Sequence, residues 1–196
     1  MKPIFESAKQ LESELISIRR TLHQYPEIGS ILPRTQSFVF GKLEEYGYCP
    51  QKLCESAVTA TISGKQPGKT ILLRADMDAL PIQEAAPVSF ASENGSMHAC
   101  GHDMHTAMLL GAAKLLKQYQ QDLVGTVKLV FQPDEEGFTG AKAMLKAGVL
   151  ENPHVDAGIA FHVVSGIPSG TVMCGSGTCM AGCTLFQIHI KGTGCH

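Results

Sequence analysis

Nowhere in the 196 residues is there a block of lysine or arginine, and the formal net charge is only −2. A chain that grips a phosphate backbone concentrates positive charge, so nucleic acid is excluded as a partner. Long hydrophobic runs are missing too. The longest, such as AMLLGAAKLL (107–116), fall well short of the ~20 apolar residues that a membrane-spanning helix needs. The opening MKPIFESAKQLESELISIRR is broken by charge every few residues, which makes it neither a signal peptide nor a membrane anchor. Cysteine is not present in the even set of a disulfide scaffold. There are seven, and without an export signal the expectation is a cytoplasmic protein with free thiols. In CGSGTCMAGC (174–183) the spacings match no zinc ribbon, and these cysteines read as small apolar residues. Internal repeats and low-complexity segments are absent as well. What remains is 44% hydrophobic and 17% charged, enough to build a core for one ordinary domain, or one domain and part of another.

Periodicity divides the chain into alternating helices and strands. Phe5, Ala8, Leu11, Leu15, Ile18 and Leu22 recur at helical steps and predict one amphipathic helix closed by Pro26. A second helix is expected over 35–46, with Gly47 as its stop. AVTATIS (57–63) alternates as a half-buried strand does, and TILLRA (70–75) reads as a strand covered on both faces. Residues 82–98 read as a loop. Helix follows over 103–119, with Met104, Met108, Leu109, Ala112, Leu115 and Leu116 expected on its buried side. GTVKLVFQ (125–132) and VDAGIAFHV (155–163) are further strands, flanking a short helix at 140–147. TLFQIHIKG (184–192) alternates well enough to open one more. This order predicts an α/β fold, a mainly parallel sheet with helices on both faces. The turn-rich stretch 165–182 reads as a linker, which places one domain at 1–182 and the start of another at 183–196.

The polar residues fall in a pattern. Strand 70–75 runs into ADMDALP, strand 125–132 into PDEEG and strand 155–161 into HV, while MHACGHDMH (97–105) sits just before a helix. Ligands of open parallel sheets bind beyond the carboxyl ends of the strands, so these groups converge on one edge. Thiolate, imidazole and carboxylate together suit a zinc-like ion. Cys100 and His102 can reach one point from a loop turning into a helix, and His162 adds an imidazole from another strand. Glu135 and Glu136 supply a ligating carboxylate and a free one, the division that metal-assisted proton transfer needs. Asp76 and Asp78 share a face at a strand end, where a carboxylate can orient a ligating histidine. Cys100 as a nucleophile is the weaker reading, because acidic neighbours raise a thiol pKa. His23, His98, His105, His154 and His189 read as structural or peripheral.

RADMDALPI (74–82), MHACGHDMH (97–105), FQPDEE (131–136) and FHV (161–163), in this order, resemble the aminoacylase-like metal-dependent amidohydrolases. That family includes hippurate hydrolases, N-acyl-amino-acid deacylases and auxin-conjugate hydrolases. LHQYPEIG (22–29) resembles its N-terminal signature. The resemblance implies a zinc-peptidase-like catalytic domain, here incomplete, followed by the first strand of an α+β lid or dimerisation domain. It implies two divalent ions (zinc, manganese, cobalt or nickel) held by Cys100, His102, Glu136 and His162. Glu135 is implied as general base and Asp78 as its supporting aspartate. Asp76 stands where relatives outside this branch carry a ligating histidine. IKGTGCH (190–196) resembles a KGxGGH stretch of the lid, which makes His196 a substrate contact and the complete protein a homodimer. Two departures are Asp134, where alanine or serine is commoner, and Cys195, which replaces a glycine. A third is length: family members run to nearly twice this size. The expected activity is hydrolysis of N-acyl amino acids. The alternative is a truncated, non-catalytic metal-binding form.

Overall fold

The structure, a computed structural model, describes residues 2–182, 184–194 and 196. Residues 1–163 form one compact unit and 164–196 a second.

In the first unit the expected long N-terminal helix is two. Helix α1 (Lys2–Gln10) and α2 (Glu12–Gln24) are parted at Leu11, whose amide takes the tighter i−3 bond to Ala8 O (3.1 Å). The apolar spacing continues through this break, so periodicity could not reveal it. Helix α3 (Pro33–Glu45) starts on a proline whose fixed φ suits a first turn. Its amides at Arg34 and Thr35 are capped by the Glu27 carboxylate, at 3.2 and 2.7 Å. Gly47, at φ +81°, ends it, with Tyr48 N donating back to Leu43 O (2.9 Å).

Then come β1 (Gln51–Lys52), β2 (Val58–Ser63), β3 (Gln66–Asp76), α4 (His102–Gln118), β4 (Val124–Gln132), α5 (Gly140–Lys146) and β5 (Ala157–Ala160). The sheet order is β1-β2-β4-β3-β5. β3 pairs parallel with β4 and with β5, while β1–β2 and β2–β4 are antiparallel. The parallel part is therefore the half that carries the polar strand ends, and the antiparallel half extends it on the other side. Register aligns Asp76 with Gln132 and Arg74 with Ala160, so β3, β4 and β5 end at one edge.

Helices cover both faces of this sheet. Ile18, Leu22, Val39, Leu43 and Leu110 pack with Leu129 and Phe131 on one side. Met144 and Val149 pack with Leu72 and Val130 on the other. β4 is consequently buried on both faces from Lys128 to Gln132. β5 differs: all four of its residues are exposed.

Helix α4 is turned relative to the sequence expectation. Met104 (40%) and Met108 (43%) are exposed, whereas His102, Asp103, His105 and Thr106 are buried along with Leu109, Leu110 and Ala113. An apolar count assigned the interior to methionine. In the fold, polar groups with specific partners occupy it instead.

The second unit contains no helix or strand among the described residues. Residues 184–192, expected as a strand, pair with nothing there. Alternation chooses a face but supplies no ladder partner, and a strand exists only in a ladder. Cys49, Cys54, Cys100, Cys174 and Cys179 are free thiols; Cys183, the expected start of the second domain, and Cys195 lie outside the described residues. No helix among the described residues is long and apolar enough to cross a membrane.

Candidate metal centre

Gly101 makes the Cys100-x-His102 spacing work. It sits at φ +93° as the cap of α4, in a left-handed conformation that a glycine adopts without strain. A Cβ there would lie 2.4 Å from Val163 Cγ2, so the residues after β5 press directly on this turn. Reversing the chain between the two side chains aims both at one point. Cys100 Sγ comes within 3.4 Å of His162 Nε2, and Cys100, His102 and His162 offer ligand atoms within 4.8 Å of one another. His102, Glu135 and Glu136 form a second such group, and His102 belongs to both.

Each imidazole is anchored through Nδ1. That of His102 donates to Asp78 O (2.8 Å), and that of His162 donates to Val163 O (2.6 Å). Both rings thus present Nε2 as a lone pair toward the centre. His102 Nε2 is buried with no hydrogen-bond partner, and so is Glu136 Oε1; the two lie 3.8 Å apart. Glu135 Oε2 is also 3.8 Å from His102 Nε2. Orphaned buried polar atoms cost about 1–3 kcal/mol each, and here they face one another across a gap too wide for a good hydrogen bond. A cation between them removes the cost, so the residues present fit a divalent metal ion.

Asp78 organises this edge. Its two carboxylate oxygens accept the backbone N–H groups of Glu135 (3.0 Å) and Glu136 (3.1 Å), while its own carbonyl holds His102. One buried side chain therefore sets both glutamates and its backbone sets one histidine. The 133–139 turn is shaped further by Asp134, at φ +54°, whose carboxylate accepts the Thr139 hydroxyl. That gives the unusual aspartate a local role.

Electrostatics point the same way. Burial, then the Glu136 carboxylate, push the Cys100 thiol up to about 11. A nucleophilic cysteine needs the opposite, whereas a bound cation supplies the charge that deprotonates it. Burial works to lower the His102 pKa, but the Asp78 and Asp76 carboxylates outweigh it and raise it. The centre is short of positive charge.

Two arrangements were not legible in the sequence. His105, read as structural or peripheral, donates from Nδ1 to Asp76 Oδ1 (2.6 Å) and accepts Val163 N–H at Nε2 (2.9 Å). Asp76 also pairs with Arg74 (2.6 Å). Further out, His23 bridges Asp103 (2.7 Å) and Glu84 (2.9 Å), and Arg19 pairs with the same Asp103 oxygen (2.7 Å). Glu84 comes from the stretch read only as loop. An aspartate at the end of β3 and a histidine on α4 share no sequence signal, since 29 residues separate them. His98 is buried with both nitrogens unpaired, and burial lowers its pKa to about 4, leaving it neutral. His154 is a surface residue 3.7 Å from Glu151. His189 and His196 are exposed in the second unit.

Comparison with known proteins identifies the family. The profile of Peptidase family M20/M25/M40 matches residues 72–192. The N-acetyl-L-cysteine deacetylase of Bacillus subtilis (strain 168) is 46% identical over 95% of this chain and 45% of its own length. The IAA-amino acid hydrolase ILR1-like 5 of Arabidopsis thaliana is 46% identical over 93% of this chain and 42% of its own. Among solved structures, the Bacillus subtilis YXEP protein, described as a dinuclear metal binding peptidase from the M20 family, superposes with a TM-score of 0.78. It is 42% identical, covering 82% of this chain and 45% of that one. The chain thus spans about half the length of the relatives it matches. The matched segment takes in the end of β3, then α4, β4, β5 and the whole candidate centre, and the chain belongs to peptidase family M20/M25/M40.

Proposed function

We propose that this chain is the ion-holding part of a metal-dependent amidohydrolase that cleaves the amide of N-acyl amino acids. Its relatives are named for deacetylation of N-acetylcysteine and hydrolysis of an amino-acid conjugate, which supports a small acyl-amino-acid substrate. The observation that carries the reading is the pair of orphaned buried atoms, His102 Nε2 and Glu136 Oε1, among a thiol, a second imidazole and a second glutamate.

Cys100, His102, Glu136 and His162 would hold two divalent ions, of zinc, manganese, cobalt or nickel type. When bound, such ions polarise the amide carbonyl and bring the pKa of water toward about 7. Glu135 does the proton work. Its side chain is 37% exposed, open to a substrate, while its backbone is fixed by Asp78. It takes a proton from the attacking water and returns it to the departing nitrogen, since an amine anion does not leave. Residues 183–196 would open a lid or dimerisation domain, with His196 reaching substrate, in a cytoplasmic homodimer.

Equilibrium dialysis of the purified 196-residue chain against zinc, with Glu135→Gln assayed beside wild type on N-acetyl and N-benzoyl amino acids, tests this. Expected are two ions bound in both proteins and, wherever wild type turns over, a loss of ~10²–10⁴-fold in the variant. Failure to bind ions overturns the metal reading. Near-normal turnover of Glu135→Gln overturns its role as base. Ion binding without turnover in any form that includes this chain identifies the non-catalytic alternative.

A further inference from the structure

We propose that His105 is a positioning residue for His162, acting through the Val163 peptide rather than through any ion. The inference rests on the metal centre proposed above.

Hydrogen-bond direction decides the matter. A backbone N–H only donates, so the 2.9 Å contact from Val163 N makes His105 Nε2 an acceptor. The ring proton then sits on Nδ1 and is donated to Asp76 Oδ1 at 2.6 Å. Both nitrogens are spent. Asp76, His102 and His105 do bring ligand atoms within 4.8 Å of one another, in the arrangement of a third metal group. His105 has no lone pair left to give it, and the Asp76 oxygens are taken by His105 and by Arg74 Nη1 (2.6 Å). That trio is a scaffold.

What the scaffold holds is the backbone of Val163, on both sides of its Cα. Its N–H ends on His105, its side chain abuts Gly101, and the carbonyl of the same residue accepts His162 Nδ1–H at 2.6 Å. That last bond turns His162 Nε2 toward Cys100 Sγ. A continuous chain therefore runs from Gln132 Oε1 to Arg74 Nε (3.0 Å), and on through Asp76, His105 and Val163 to His162. It matters because β5 and the residues after it are exposed: Phe161 is 61% and Val164 55% exposed. The exposed His162 ring rests edge-on against the His105 ring, 4.6 Å between centroids, so the same buried residue meets it directly as well as through Val163. Buried His105 (2% exposed) supplies the aim from α4.

The test compares His105→Leu, which offers no partner, with His105→Gln, which still has an acceptor and a donor, in wild-type and His162→Ala backgrounds of the whole chain. Two readouts are taken: amide hydrogen exchange at Val163 without metal, and cobalt binding followed by its thiolate charge-transfer band. In His105→Leu the Val163 amide exchanges faster by at least about tenfold, and cobalt affinity falls by about 10–100-fold, the usual effect of losing a ligand's supporting partner. His105→Gln recovers most of both. In the His162→Ala background His105→Leu has little further effect on cobalt affinity, because its target is gone, while Val163 exchange still speeds up because that bond is lost in either background. Unchanged Val163 exchange in folded His105→Leu overturns the proposal. So does an undiminished loss of affinity in the His162→Ala background, which would make His105 a ligand. A wild-type chain that takes up no cobalt overturns the metal centre itself, whereas uptake indifferent to His105 overturns only this inference.

Discussion

Two polar clusters meet at the first turn of α4, at Asp103 and at His102, and they solve opposite problems. The first joins His23, Arg19, Asp103 and Glu84. Asp103 pairs with Arg19 and with His23, each at 2.7 Å, while Glu84 accepts from His23 at 2.9 Å and from Ser92 N–H at 2.6 Å. The second gathers Cys100, His102, His162, Glu135 and Glu136, with two orphaned atoms and closest carboxylate–imidazole approaches at Glu135 and Glu136 of 3.8 Å. Similar residue types, on the same helix turn, give a closed network in one case and an open one in the other. The difference is charge. Arg19 brings a fixed positive charge to the first cluster and His23 bridges its two carboxylates, whereas the glutamates of the second have no nearby arginine or lysine partner among the described residues. The candidate metal centre is distinguished by carboxylates that no lysine or arginine pairs with among the described residues.

Breaking the closed network gives the largest effect on stability. Asp103→Leu strands His23 and Arg19 beside the remaining carboxylate and should cost about 3–5 kcal/mol in urea denaturation. A cost below ~1 kcal/mol would show that the network is not closed as described. The same cluster has a pH signature. Hydrogen bonding to Asp103 raises the His23 pKa, against burial. A raised folded value means that its contribution is fully present below the unfolded pKa of about 6.5 and is lost as pH rises through the folded one. The stability advantage of wild type over His23→Gln should therefore be larger at about pH 6 than at about pH 9. An advantage that grows with pH would reverse the assignment.

The open network should respond to metal where the closed one does not. Zinc at a hundred times its dissociation constant should add about 2.7 kcal/mol to stability, reversed by a chelator. Cys100→Ser should reduce that shift and His23→Gln should keep it. If His23→Gln abolished the zinc shift, the two clusters would be one site.

The contrast between these clusters also explains what could be read from the chain. Glu135, Glu136 and His162 stood out at predicted strand ends and Cys100 and His102 just before a predicted helix, and parallel pairing of β3, β4 and β5 carries such strand ends to one edge. Their convergence follows from topology. The supporting residues had no such logic. Glu84 lies in an irregular segment, and the pairings of His23 with Asp103 and His105 with Asp76 join residues 80 and 29 apart. Such contacts arise only from packing. The fold was legible to the same depth: strand and helix identities follow periodicity through residue 163, while the break at Leu11, the antiparallel β2–β4 ladder and the unpaired 184–192 depend on partners that periodicity does not name.

Helix α4 offers the finest test. Apolar counting placed Met104 and Met108 inside, but the polar clusters take that face and leave both methionines at the surface. Leu110, fully buried in the main core, should cost about 2–5 kcal/mol on replacement by alanine. Met108→Gln, at a site 43% exposed, should stay within about 0.5 kcal/mol. Both are read from the same denaturation experiment, and the ratio matters more than either value. Equal costs would mean that the helix presents the face its hydrophobicity suggests. His102, Asp103 and His105 would then be carried away from the sheet edge, and neither cluster could exist as described.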